Sequence, residues 1–233
     1  MFAAFLVLML GIAQSQVPGL TEIWSRRGCG ERRPGDVKCP FEVADLPLTA
    51  RAIGFRDAFD EVLAPKYDCI PANMPSLIID PYNFRIEQRP DRLIFTYEKD
   101  DIVRTIWMNG AGPKPGVYDV FTQGHSVGRY EGNQLIIETT KFGFDPTGLD
   151  DMLNLPSSTQ KRVTERYWRE GNRLKVEAIT EDPLILLKPI KFTFEWDRTD
   201  TPLILPYECD PELAKQPIPF LPPSKYQDPV RGK

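Results

Sequence analysis

His125 is the chain's only histidine, and it stands in a short polar stretch, GHSVGRYEGN, with Arg129, Tyr130 and Glu131 close behind it. Imidazole is the one side chain whose unperturbed pKa lies near neutrality. Acid/base chemistry in this chain therefore starts at His125, with Glu165 or Asp182 as the carboxylate that would orient the ring. No Gly-x-Ser-x-Gly elbow accompanies it to supply a nucleophile. Asp145, Asp150 and Asp151 do not follow the spacing of a calcium loop and read as a solvated loop. None of the four cysteines, Cys29, Cys39, Cys69 and Cys209, lies in a C-x-x-C pair suited to zinc. No glycine-rich loop leads into a helix to cradle a phosphate. The sequence thus predicts neither a metal nor a cofactor.

The segments that carry these residues read as strands. From Phe84 onward come FRIEQ, RLIFTYE, DIVRTIWM, SVGRYE, QLIIETTKF, KRVTERYWRE, RLKVEAIT and KFTFEW, β-branched and aromatic runs bounded by turn residues. Two of the turns are the same tripeptide, EGN, in which Gly followed by Asn suits a tight hairpin. The spacing predicts an antiparallel meander of about eight strands. Because it must hide its edges, it is expected to curl into a calycin-like barrel or half-barrel.

Alternate residues of a strand face opposite sides. Leu93, Phe95 and Tyr97, then Leu135, Ile137 and Thr139, then Leu174, Val176 and Ala178, and finally Phe192, Phe194 and Trp196 form the inward sets. Lys175 with Glu177, and Lys191 with Glu195, form solvated ones. Three strands break the rule. Arg104 shares a face with Ile102, Ile106 and Met108, Arg129 and Glu131 share one with Val127, and Glu165 shares one with Val163 and Tyr167. A charge on an apolar face is costly unless paired. Arg104, Arg129, Glu131 and Glu165 would therefore form the polar floor of an apolar cavity, with Tyr97, Trp107, Tyr130, Tyr167, Phe194 and Trp196 as its aromatic walls.

Around the meander the chain divides into simple parts. Residues 1–15 carry no charge and end in Ala13-Gln14-Ser15, as a secretory signal peptide does. Residues 16–48 read as an irregular arm. Within it GLTEIW resembles the Gly-x-Trp start of lipocalins, but Glu22 stands where that Gly would be, so Trp24 reads as an anchor in an ordinary arm. Thr49 to Ala64 is the one helix, N-capped by Thr49 and stopped by Pro65. A short edge strand is expected at Leu77 to Ile79. Residues 49–200 form the helix-plus-meander domain, interrupted by a long loop at 142–160 of the kind that rims binding sites. Residues 201–233 are a Pro-rich tail tethered by Cys209. Two disulfides are expected, Cys29–Cys39 and Cys69–Cys209 being preferred among three connectivities.

A net charge of -4, with acidic and basic residues interleaved, argues against nucleic acid as a partner. No run after the first fifteen residues is long enough to span a membrane. The expected function is a secreted or periplasmic binding protein for a small apolar or amphipathic ligand held in the barrel cavity. The alternatives are an enzyme using His125-centred acid/base chemistry, and an interaction module that has no pocket.

The stretches CIPANMPSLIIDPYNFRIEQRPDRLIFTYEKDDIVRTIWMNG, GHSVGRYEGNQLIIETTKFG, TERYWREGNRLKVEAITEDP and PYEC together resemble a broad group of uncharacterised secreted bacterial proteins. That group carries Cys-x-Pro…Met-Pro, Val-Arg-x-Ile and Gly-His-Ser-x-Gly-Arg-(Trp/Tyr)-Glu-Gly. The likeness covers most of residues 69–209 and implies the strand pairing and the Cys69/Cys209 pairing, but no activity. Before the Thr-Glu-Arg strand, where the group has a further His, this chain has LPSSTQKRV, which argues against a two-histidine site.

Overall fold

The computed structural model describes residues 19–29, 34–36, 42–79, 82–200 and 204–221, without the side chains of Gly28 and Cys29. The expected signal peptide, the Cys29–Cys39 disulfide and the ends of the tail lie outside the described residues.

The protein is mainly β, built on a closed barrel of nine strands. They are β1 (Ile23–Cys29), β2 (Phe84–Gln88), β3 (Arg92–Tyr97), β4 (Val103–Met108), β5 (His125–Glu131), β6 (Gln134–Thr140), β9 (Arg162–Glu170), β10 (Arg173–Glu181) and β11 (Ile190–Arg198). Around the barrel they run β1-β11-β10-β9-β6-β5-β4-β3-β2 and return to β1. β7 (Asp145–Asp150) and β8 (Leu155–Ser157) form a separate two-stranded hairpin.

Eight of these strands are the predicted ones, and the ninth, β1, corrects the reading of residues 16–48 as irregular throughout. It pairs with β11 along most of its length and with β2 through Ile23↔Arg85 and Trp24↔Phe84. Trp24 is wholly buried, and its indole N–H donates to the Leu20 carbonyl at 3.1 Å. The polar, Gly-flanked sequence hid this strand because its pairing partners lie far along the chain.

The meander is also less simple than expected. β4 and β5 run parallel, with Ile106↔Ser126 and Trp107↔Val127 in register. A tight turn reverses direction, whereas the Pro- and Gly-rich connection between Met108 and His125 is long enough to carry the chain back to the same end. Gly128, facing inward on β5, leaves room for its neighbours: a Cβ there would come within 2.8 Å of Ile106 and Met108. At the two EGN turns Gly132 and Gly171 have φ of 60° and 63°, while the following asparagines do not take positive φ. That is the type II′ pattern, in which only the first central residue needs the left-handed region.

Local signals failed at two further places. The helix α1 covers only Ala50–Ala58; its Thr49 cap accepts from the Ala52 N–H as predicted. Beyond Phe59 two single 3-10 turns follow, at Glu61–Leu63, where Asp60 caps anew, and at Pro65–Asp68. The expected edge strand at Leu77 is instead a short helix, α2 (Ser76–Ile79), in which Ser76, Leu77 and Ile78 are buried. α3 (Pro211–Ala214) lies in the tail, which the Cys69–Cys209 disulfide ties to the start of the domain.

The inward sets meet as predicted. Phe84 packs at 5.3 Å from Tyr97 and 5.4 Å from Trp196, and Phe95 packs at 5.5 Å from Tyr167, all between ring centroids. Trp24, Leu93, Leu135, Ile137, Leu174 and Val176 complete the same cluster, each at most 1% exposed. On the outer wall Glu195 is more covered than predicted, at 7% exposure, beneath its bridges to Arg173 and Lys175.

Candidate functional site

A polar network lies in the barrel interior and joins the two charged residues that apolar faces singled out. Arg104 from β4 and Glu165 from β9 form a two-point ion pair: Nη1 donates to Oε1 at 3.1 Å, and Nη2 donates to Oε2. Arg104 Nε donates to Ser126 Oγ at 3.1 Å and Nη2 to Thr139 Oγ1 at 2.6 Å. The Tyr167 hydroxyl donates to Glu165 Oε1. Burial alone would pull the guanidinium down, but the Glu165 charge and hydrogen bonds outweigh it and hold Arg104 above its ordinary value. Burial pushes the Tyr97 hydroxyl up to about 12 and Tyr167 well above its usual value. All three groups therefore keep their protons across the physiological range. Removing one partner of such a pair would strand a buried charge at a cost of about 3–5 kcal/mol.

This network ties strands β4, β5, β6 and β9 together. Tyr97, Tyr167, Phe194 and Trp196 are each at most 2% exposed, so at these positions the aromatic walls fill the interior. Tyr130 is half-buried against the same core. Trp107 lies on the outer wall, where the Arg92 guanidinium covers its ring at 5.1 Å.

The other half of the expected polar cluster is placed outside. On β5 it is Ser126 and Gly128 that turn inward, so His125, Val127, Arg129 and Glu131 face out. Arg129 bridges Glu131 at 2.8 Å and Glu138 at 2.7 Å across the exposed surface. His125 stacks obliquely on Phe121 at 6.4 Å, and burial lowers its pKa. Among the described residues its imidazole makes no hydrogen bond to a carboxylate. Asp182 is engaged elsewhere, accepting from Ser158 N–H at 2.6 Å and Ser158 Oγ at 2.7 Å. The structure brings Arg104 to Glu165 and does not bring His125 to Glu165 or Asp182.

Space for a small molecule lies outside the barrel wall, in a pocket of about 410 Å³ beyond the β3–β4 turn. Three segments far apart in sequence build it. Pro65 to Ala72 forms one side, the β7–β8 hairpin with Asp145, Thr147, Asp151 and Met152 another, and the tail with Tyr207, Cys209 and Ala214 a third. Tyr82, Lys99 and Asp100 close the base. The tail is held there by covalent and polar ties. Cys209 is bonded to Cys69, Asp101 accepts the N–H groups of Tyr207 and Glu208 at 2.9 and 3.1 Å, and Glu98 accepts that of Leu205 at 3.0 Å.

The aspartates expected to be solvated in the 142–160 loop are structural here. Asp151 is 7% exposed and accepts from Lys99 Nζ at 3.0 Å and Ser76 Oγ at 2.9 Å. Asp150 caps the hairpin by accepting from the N–H groups of Met152 and Leu153. Behind Asp145 sits Lys161, 1% exposed, whose Nζ donates to Gly148 O at 2.9 Å and to Asn73 Oδ1, with the Phe142 ring 4.2 Å away. Burial lowers this amine to about 7. Sequence reasoning missed Lys99, Asp100, Lys161, Tyr82 and Tyr207 because each looks ordinary in its own segment. The one signal that pointed here was the Cys69/Cys209 pairing, which brings residues near 70 against residues near 207.

By fold the chain is a mainly β protein on a calycin-like closed barrel. No protein-family model matches it, and no curated protein does. No described helix is long and apolar enough to cross a membrane.

Proposed function

We propose that this is an exported protein that binds a small amphipathic ligand in the pocket beneath its disulfide-tethered tail. The observation that carries this is the pocket itself. Its volume of about 410 Å³ suits a small molecule, and its lining combines aromatic and aliphatic side chains with a few fixed charges. Export is supported by the uncharged apolar start of the chain and by the Cys69–Cys209 disulfide. The barrel then acts as a rigid frame, and the site is built on its rim. Native mass spectrometry on protein purified from its natural source tests this: the wild type should carry a small molecule that Tyr207→Ala loses. A ligand-free wild type would count against the proposal.

A second reading, an interaction module, is favoured by the exposed run on the β4–β5 connection, where Val117 and Tyr118 are 82% and 94% exposed. It would be chosen over the first if the same preparation carried no small molecule but retained a stoichiometric protein partner.

A further inference from the structure

The charges around the pocket define the class of ligand, given that this pocket is the binding site. Its two cations are already matched. Lys66 Nζ lies 3.1 Å from Glu61 Oε1, and Lys99 Nζ lies 3.0 Å from Asp151 Oδ2. The remaining carboxylates are satisfied by neutral donors only. Asp100 accepts the Ala72 N–H at 2.9 Å. Asp145 accepts from Asn73 Nδ2 at 2.7 Å and from the Thr147 N–H at 2.8 Å. Next to the pocket, Asp101 and Glu98 are likewise held by backbone N–H groups, with Asn83 Nδ2 also donating to Glu98. Among the described residues none of these four carboxylates forms an ion pair.

This arrangement leaves an excess of negative charge around an apolar space. Burial raises the Asp100 carboxyl, and the nearby Lys99 offsets that only in part. The cation behind Asp145 is Lys161, which is spent on Asn73 and the Gly148 carbonyl and does not line the pocket. The aromatic component points the same way. Tyr82 and Tyr207 meet edge to face at 5.8 Å, and the Tyr207 hydroxyl, raised first by burial, also feels Asp100. An aromatic pair beside an unpaired carboxylate attracts a cation through both the ring quadrupoles and the charge. Ile70, Pro71 and Met152 add an apolar wall for the rest of the molecule.

We infer that the ligand is a small organic cation, an amine or quaternary ammonium on an apolar body. Its charge rests beside Asp100 and Asp145, and its body lies against Tyr82, Tyr207 and Ile70. An anionic ligand would meet the Asp100 and Asp145 carboxylates, while the cations that line the pocket, Lys66 and Lys99, were already engaged.

Three probes sharing one body separate this inference from the reading it rests on: 2-phenylethylamine, 2-phenylethanol and 3-phenylpropionate, titrated into the full chain by calorimetry at neutral pH. The amine should bind saturably, about tenfold more tightly than the alcohol and with the carboxylate weaker still. Asp100→Asn keeps an acceptor for the Ala72 N–H and removes the charge. It should cost the amine about tenfold in affinity and leave the alcohol unchanged. The amine's affinity should also fall with added salt. If the alcohol or the carboxylate binds as tightly as the amine, and Tyr207→Ala abolishes that binding, the cation inference is overturned while the pocket stands. If none of the three binds, the pocket is not the site and both fall.

Discussion

At the scale of single residues, two buried cations are accommodated in opposite ways. Arg104 keeps its charge because Glu165 meets it at two points and Ser126 and Thr139 accept from its Nε and Nη2. Lys161 has no contact carboxylate among the described residues; Asp145 and Asp182 act on it only from further off. Its amine is therefore pushed to about 7 by burial, against 10.5 for a lysine amine in water. The sign follows from proton counting. Between about 7 and 10.5 the unfolded chain binds more protons at this site than the folded one, so its contribution to stability rises with pH across that window and is least favourable below 7. Urea midpoints measured from pH 6 to pH 10 should climb more steeply for the wild type than for Lys161→Met. Parallel curves for the two proteins would show that the folded amine titrates normally. The residue reading from sequence succeeded where alternation had strong anchors: Arg104 shares its face with Ile106, and Glu165 shares its own with Tyr167. For Arg129 and Glu131 the shared face with Val127 was read correctly but turned the wrong way, because strand phase flips every side chain at once. On β5 the small residues Ser126 and Gly128 face the core, and neither advertises burial.

At the scale of elements, the strand that closes the barrel is the one local pattern could not show. β1 meets β2 through only two register pairs, one of them Trp24↔Phe84, so this seam depends on the Trp24 side chain more than on ladder length. The indole is fully buried, bonded to Leu20 O, and covered by the Arg169 guanidinium at 5.6 Å. Trp24→Ala should destabilise the protein by about 3–5 kcal/mol in chemical denaturation. Amide exchange should accelerate first along β1 and at Ile86, whose N–H donates to Glu22 O across the seam. A loss well under about 1 kcal/mol would mean that β1 is an ornament on an open sheet. The same limit of local pattern explains α2, whose Leu-Ile-Ile run reads as a strand until the β7–β8 hairpin packs against it as a helix. It explains the shortened α1 as well. Phe55 and Phe59 do share a stripe, but they pack on each other, and Phe55 on Phe144, rather than continuing a helix into the core.

At the scale of the whole molecule, the Cys69–Cys209 bond spans 140 residues and joins the first side of the pocket to the last. Closing a loop of that length removes entropy from the unfolded chain, for which the loop-entropy treatment gives about 4–5 kcal/mol as an upper figure. Cys209→Ser should therefore lower stability by roughly 2–5 kcal/mol in denaturant. It should also loosen the tail, read as faster exchange of the Leu205, Tyr207 and Glu208 amides. Unchanged stability and unchanged exchange together would assign the tether to the carboxylates Glu98 and Asp101 alone. The sequence by itself determined the class, mainly β with inward aromatic and aliphatic sets, because strand alternation and turn chemistry are local properties. It also determined that Arg104 and Glu165 must find partners, because a charge on an apolar face has few stable solutions. Only the tertiary structure decided that the barrel closes through β1, that β4 and β5 run parallel, and that Tyr97, Tyr167, Phe194 and Trp196 are buried in its interior. The pocket on the rim belongs to that second group, since its walls come from segments near residues 70, 100, 150 and 207, and nothing in any one of them encodes the others.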